Sequence, residues 1–258
     1  HVKLVFALAF LSISTVFAQK TNIDKDIKMY SQVWDAVVNK GDIDQINATN
    51  FDETVTGISS PENMVGIEAF KAYKQALITE TVTKGLSPDV KMKGSGIEWI
   101  GEIPEHWKVC KLKYILSERS IRSKTGEEEP LSMSQKYGLI KTKDMDLIPN
   151  MTNSYVGNKI VEKNDLVFNK LKAHLGVFSV SNYEGIVSPD YAVYYSKEGV
   201  NVKFLEYVFK TANYITEFKK RSRGIAAGLT RLYTNDLFAI KCGIPSLKEQ
   251  TEIVDYIN

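Results

Sequence analysis

The chain has 258 residues, 43% of them hydrophobic and 25% charged, with a formal net charge of +2 at pH 7. That balance suits one large or two small globular domains and excludes a mostly disordered polymer, a collagen-like rod and a multispanning membrane protein. Two cysteines and three histidines cannot supply a disulfide framework and argue against a structural zinc site.

Charge is unevenly distributed. Residues 1–71 hold 6 Lys and no Arg against 9 Asp and Glu, a net −3, so the remainder carries +5. All five arginines (Arg119, Arg122, Arg221, Arg223 and Arg231) lie in that remainder. The asymmetry points to two units with different partners.

Taken in chain order, Lys3 precedes an apolar run from Leu4 to Phe17, and Val16-Phe17-Ala18 ahead of Gln19 has a small-x-small shape. This is the pattern of a secretory signal over residues 1–18; a buried first helix is the alternative. The run is shorter than the roughly 20 apolar residues of a membrane span. From Asp24, the residues Ile27, Tyr30, Val33, Trp34, Val37 and Val38 recur at helical spacing and stop at Gly41. The helix, "NKGDID", "NFDETV" and "GIEAFKAY" together resemble the start of a SnoaL-like member of the nuclear transport factor 2 superfamily. The resemblance implies part of a helix-and-sheet cone around an apolar pocket, within residues 19–71. The strands that would close the cone do not follow, so no active site is carried over.

Residues 72–91 read as a helix end with Gly85 as its C-terminal cap, then a polar linker with Pro88. Trp99, Ile100, Ile103, Pro104 and Trp107 form an apolar, turn-rich hook, followed by a short helix or strand from Val109 to Leu116. "LVFN", "GVFSV" and "YAVYY" are strand-like runs bounded by Asn, Asp, Gly and Pro. Phe204, Leu205, Val208, Phe209, Ala212, Ile215 and Phe218 then predict one helix. It ends in the basic cluster Lys219, Lys220, Arg221 and Arg223.

Cations favour a helix C-terminus, so part of that cluster needs no functional explanation. Four cations in five positions exceed that need. The small residues of "GIAAGLTR" allow close backbone approach, and together they suggest contact with phosphates. Alternation along a strand would place Lys170 and Lys172 on one face, with Asn169 before them and His174 behind. Ser132, Ser134, Gln135, Lys136 and Tyr137 sit near a turn before Gly138. Glutamine bonds bidentately to adenine, while Ser and Tyr reach phosphate; an ordinary polar hairpin tip is the other reading. Arg231 suits guanine O6 and N7, or a nearby carboxylate such as Asp236.

"ALITETVTKGL" and "SGIEWIGEIPEHW" resemble the end of the central conserved helix and the entry to the second target-recognition domain of type I restriction–modification specificity subunits. "LSMSQKYGLI", "LVFNKLKAHLGVFSVSNYEGIVSPDYAVY" and "RSRGIAAGLTRLYTNDLFAIKCGIPSLKEQTEIVDYI" continue that resemblance in order, over about residues 72–258. It implies an α+β target-recognition domain over 92–245, with the distal conserved helix starting at about Ser246. The first recognition domain is missing, and both conserved helices are short. The implied function is non-catalytic: sequence-specific binding of double-stranded DNA at one half of a bipartite target, and docking of methyltransferase subunits. S-adenosylmethionine, ATP and Mg²⁺ would belong to the methyltransferase and motor-nuclease partners, leaving this chain without a cofactor of its own. The implied compartment is the cytoplasm, in conflict with the signal-like N-terminus. Candidate DNA contacts are Gln135, Lys136, Tyr137, Lys170, Lys172, Lys219, Lys220, Arg221, Arg223 and Arg231.

Two other functions are open. The first seventy residues suggest an envelope-associated ligand-binding or cyclase-like protein. Asp190 and Glu217-Phe218-Lys219 formally match a PD-(D/E)-x-K nuclease, in which two carboxylates hold Mg²⁺ beside a lysine. Glu217 falls in a helix rather than a strand beside Asp190, so the geometry speaks against it. His106 and Cys110 are four apart, with no ligand set or triad around them.

Overall fold

The computed structural model describes residues 74–134, 137–145, 154–226 and 229–258. The chain divides into two units, residues 1–60 with Asn258, and Pro61–Ile257; the second is described below. The signal-like and SnoaL-like segments lie outside the described residues, as do Gln135 and Lys136.

A helix (α1) covers residues 74–84. It stops where Gly85 takes φ +80° and returns its N–H to the Thr81 carbonyl at 3.0 Å, the left-handed ending that glycine adopts without a Cβ clash. Eleven strands follow: β1 (Met92–Gly94), β2 (Glu102–Pro104), β3 (Lys108–Lys111), β4 (Leu116–Glu118), β5 (Leu131–Ser134), β6 (Gly138–Lys141), β7 (Lys159–Val161), β8 (Leu166–Asn169), β9 (Phe178–Val180), β10 (Gly185–Val187) and β11 (Tyr191–Ser196). Then come α2 (Val202–Phe209), α3 (Ala212–Arg221), β12 (Arg223–Ala226), β13 (Leu229–Arg231), α4 (Thr234–Phe238), β14 (Lys241–Ile244) and α5 (Leu247–Ile257). This is an α+β architecture.

The central sheet is antiparallel in the order β4-β11-β8-β9. Its strands are apolar on both faces, and alternation along them divides the side chains between two cores. Leu166, Phe168, Phe178, Val180, Ala192 and Tyr194 face the larger core with the helices. Val167 and Val193 face a smaller one with Leu131, Leu139, Val161 and Val187, from the β5–β6 and β7–β10 pairs. Aromatic packing dominates the larger core. Phe168 stacks on Phe178 at 4.4 Å, and Phe209 and Phe218 meet both rings edge-on at 5.6–6.4 Å from one another and from the pair.

The single helix expected from Phe204 to Phe218 is two. Asn201 caps α2, accepting from the N–H groups of Lys203 and Phe204. Thr211 then leaves helical geometry (ψ 149°) and its buried hydroxyl donates to the Val208 carbonyl at 2.7 Å. The hydroxyl takes the place of a backbone donor there. The apolar spacing runs unbroken across this turn because both helices pack on the same core.

The segment 109–116 is strand, 3-10 turn and strand again. β3 pairs with β14, setting the free Cys110 and Cys242 opposite each other. In the hook, Ile103 and Trp107 are fully buried, with Trp99 and Ile100 packed at the edge. Trp107 donates its indole N–H to Glu249 of α5 at 3.0 Å, and His106 Nε2 lies 2.8 Å from the same carboxylate. Gln250, fully buried, accepts from Asn201 N–H and donates to the carbonyls of Gly199 and Pro245. These bonds fasten α5 to the turns on either side of it.

Candidate nucleic-acid interface

β8 ends at Asn169, whose side chain accepts from Leu171 N–H at 3.1 Å. This Asx turn takes the chain off the strand. Lys170 and Lys172 therefore sit in a turn, not on one strand face as alternation predicts. Lys172 is exposed and Lys170 half-buried. The turn runs into a short 3-10 segment, Ala173–Leu175, that packs against α3. Its other side meets the chain after β13, where Leu232 N–H donates to the Lys170 carbonyl at 3.0 Å.

β12 and β13 form the antiparallel hairpin that follows α3, with Arg223 directly opposite Arg231. The fold thus gathers the 170–176 turn, the end of α3 and the hairpin into one neighbourhood. Lys170, Lys172, Lys219, Lys220, Arg221, Arg223 and Arg231 are all there.

Their charges are not equally available. Arg221 Nε donates to Glu217 of its own helix, Arg223 Nη2 to Asp236 at 2.5 Å, and Arg231 Nη2 to Asp190 at 3.0 Å. The carboxylate beside Arg231 is therefore Asp190, and Asp236 serves Arg223. Asp190 and Glu217 are each engaged by a different arginine. Arg119 is structural: it grips the buried Asp165 with two bonds (2.7 and 3.1 Å) and reaches Glu162. Arg122 donates to the Gly157 carbonyl. By contrast, no ion pair with an acid forms at Lys170, Lys172, Lys219 or Lys220 among the described residues. Lys219 and Lys220 lie on the exposed face of α3, while Tyr214, Glu217 and Phe218 are its buried residues.

Burial holds the Lys170 ammonium below the ordinary lysine range, and the charges of Lys159 and Arg231 push the same way against Glu118 and Asp190. Lys159, itself buried, is paired with Glu118 at 3.2 Å. Three buried polar atoms lack a hydrogen-bond partner among the described residues: His174 Nδ1, Arg231 Nε and Asp236 Oδ2. All three belong to this neighbourhood. Lys159 and Glu118 were not singled out from the sequence, and the pairing of Asp190 with Arg231 and of Asp236 with Arg223 was not foreseen. Their pairings span up to 41 residues of sequence, a separation that no local pattern signals.

The β5–β6 hairpin packs against β9 and β10. Gly138 takes φ +71° so close to Ser179 of β9 that an added Cβ would lie 2.5 Å from its hydroxyl oxygen. Only glycine combines that conformation with that approach. Tyr137 is exposed at the turn, its N–H donating to Ser134 Oγ at 3.2 Å. Ser132 is spent inside the fold on Thr142 at 2.8 Å.

The model of the type I restriction modification DNA specificity domain family matches residues 104–258, and the chain belongs to that family. No curated protein matches the chain. Among solved structures it is similar to the HsdS subunit from Thermoanaerobacter tengcongensis (16% identity, 76% of this chain and 46% of that one, TM-score 0.45). It is also similar to the type I restriction-modification S subunit from M. genitalium (12%, 76% and 48%, TM-score 0.46). The chain spans about half the length of the solved structures it matches.

Proposed function

We propose that the turn, helix end and hairpin grip double-stranded DNA, and that this chain selects one half of a bipartite target for a type I restriction–modification complex. One observation carries the reading. Four lysines with no acid partner among the described residues (Lys170, Lys172, Lys219 and Lys220) gather beside a hairpin bearing Arg223 and Arg231. The lysines supply the sequence-independent hold on phosphates. The hairpin arginines and Tyr137, together with Gln135 and Lys136 as the sequence assigns them, supply contacts to base edges or groove walls; Arg221 braces the helix end. Family membership supports methyltransferase subunits as partners, docked along α1 and α5, and a cytoplasmic setting. S-adenosylmethionine, ATP and Mg²⁺ belong to the partner subunits, including the motor-nuclease.

A binding selection on randomised duplexes tests this. An enriched motif is expected, with a slope of log K against log salt near about −4, since each neutralised phosphate contributes about −0.9. A pool without enrichment, or a slope shallower than about −1, would overturn it.

A further inference from the structure

We infer that Asp190 and Asp236 are intramolecular competitors for DNA: they occupy Arg231 and Arg223 in the unbound protein and yield them to the correct sequence. This rests on the DNA-reading assignment above. Both pairs join the β12–β13 hairpin to a neighbouring segment, Asp190 from the turn before β11 and Asp236 from α4. Each leaves capacity unused. Arg231 Nε and Asp236 Oδ2 are buried without a hydrogen-bond partner among the described residues, so neither pair forms the two-bond fork that arginine and carboxylate make at their strongest.

In each pair one member faces solvent: the Asp190 side chain is 64% exposed against 24% for Arg231, and Arg223 68% against 18% for Asp236. Each pair can therefore open without unfolding anything. A single-bonded ion pair with one partner facing solvent is worth less than a bidentate arginine–guanine contact. Exchange therefore favours the matching base, while over a wrong base the arginine stays with its carboxylate. The two aspartates hold down affinity for arbitrary DNA and so widen the gap between right and wrong sites. Lys170 lies beside the Arg231–Asp190 pair and feels both charges, so a phosphate arriving there reaches the pair directly.

The test uses the full chain and a fluorescein-labelled 30-base-pair duplex of arbitrary sequence, titrated by anisotropy across a salt series. Asp190→Asn and Asp236→Asn keep the side-chain shape and an acceptor but remove the charge. Each is expected to bind the duplex about two- to fivefold tighter, the scale of one exposed ion pair. The salt slope should steepen by about 0.9 for each arginine released onto phosphate. In an Arg231→Ala background, Asp190→Asn should change neither quantity. Wild-type affinity and slope in both single variants would overturn the inference and leave the DNA-reading assignment standing. So would a gain from Asp190→Asn that persists without Arg231, because it would then be a general loss of negative charge. A wild-type chain that binds no duplex at low salt would remove both.

Discussion

At the scale of single residues, the proposed interface assigns some cations to holding DNA and others to choosing it. Lys172 is exposed in a turn and has no acid partner among the described residues. Lys172→Ala should weaken binding to every duplex alike and flatten the salt slope by about 1. Arg231→Ala should instead cost about 1–3 kcal/mol on the selected sequence and relax one position of it. Anisotropy on the selected duplex and its single-position variants distinguishes the two. Equal losses on all sequences from Arg231→Ala would assign it to phosphate. Lys170 adds a pH dependence. Burial and two neighbouring cations lower its pKa, and only the protonated form attracts phosphate. Duplex affinity should therefore begin to fall, as pH rises, below the ordinary lysine range near 10.4. Lys170→Arg should remove that fall.

At the scale of elements, the neighbourhood depends on how α3 and α5 are anchored. Phe218 is fully buried among Phe168, Phe178 and Phe209, three residues before Arg221. Phe218→Ala should cost about 3–5 kcal/mol in urea or thermal unfolding, with DNA binding lost along with the fold. Gln250→Ala would strip partners from the part-buried Asn201 N–H and from two carbonyls, of which that of Pro245 is buried. It should cost about 1–3 kcal/mol, the cost of the one buried carbonyl left unpaired. The apolar spacing of 204–218 marked which residues face the core, except Ala212, which is exposed, yet it hid the break at Thr211. Spacing reports burial, whereas the break is a side-chain hydrogen bond to the Val208 carbonyl. The strand alternation applied to Lys170 and Lys172 failed for a similar reason: the Asn169 side chain ends β8 one residue too early.

At the scale of the whole molecule, two cores share one sheet, and buried ionisable groups set the pH range of stability. Burial opposes ionisation of Glu206, but Lys210 at 2.6 Å and Lys203 at 2.9 Å outweigh it and leave the carboxyl below its ordinary range. A depressed carboxylate contributes stability above its unfolded pKa and loses it as pH falls through the folded value. Melting temperature should therefore drop below about pH 4, and Glu206→Gln should blunt that acid sensitivity. At the other end, burial pushes the Cys242 thiol up to about 12 and raises the Tyr214 phenol well above its ordinary value. The unfolded chain releases those protons near pH 9 and 10, before the native state does, so stability should decline above about pH 9. Cys242→Ala should shift the onset upward.

The amino-acid sequence by itself determined the α+β class, the core strands at 166–169 and 191–196, the glycine that ends α1, and the DNA-specificity family through long colinear motifs. These are local or contiguous signals, carried by periodicity and by residue types with fixed backbone preferences. Only the tertiary structure decided which cations are spent. The pairs Arg119–Asp165, Arg231–Asp190, Arg223–Asp236 and Lys159–Glu118 join residues 13 to 46 positions apart. An ion pair depends on where the chain returns in space, and neither charge count nor spacing encodes that return.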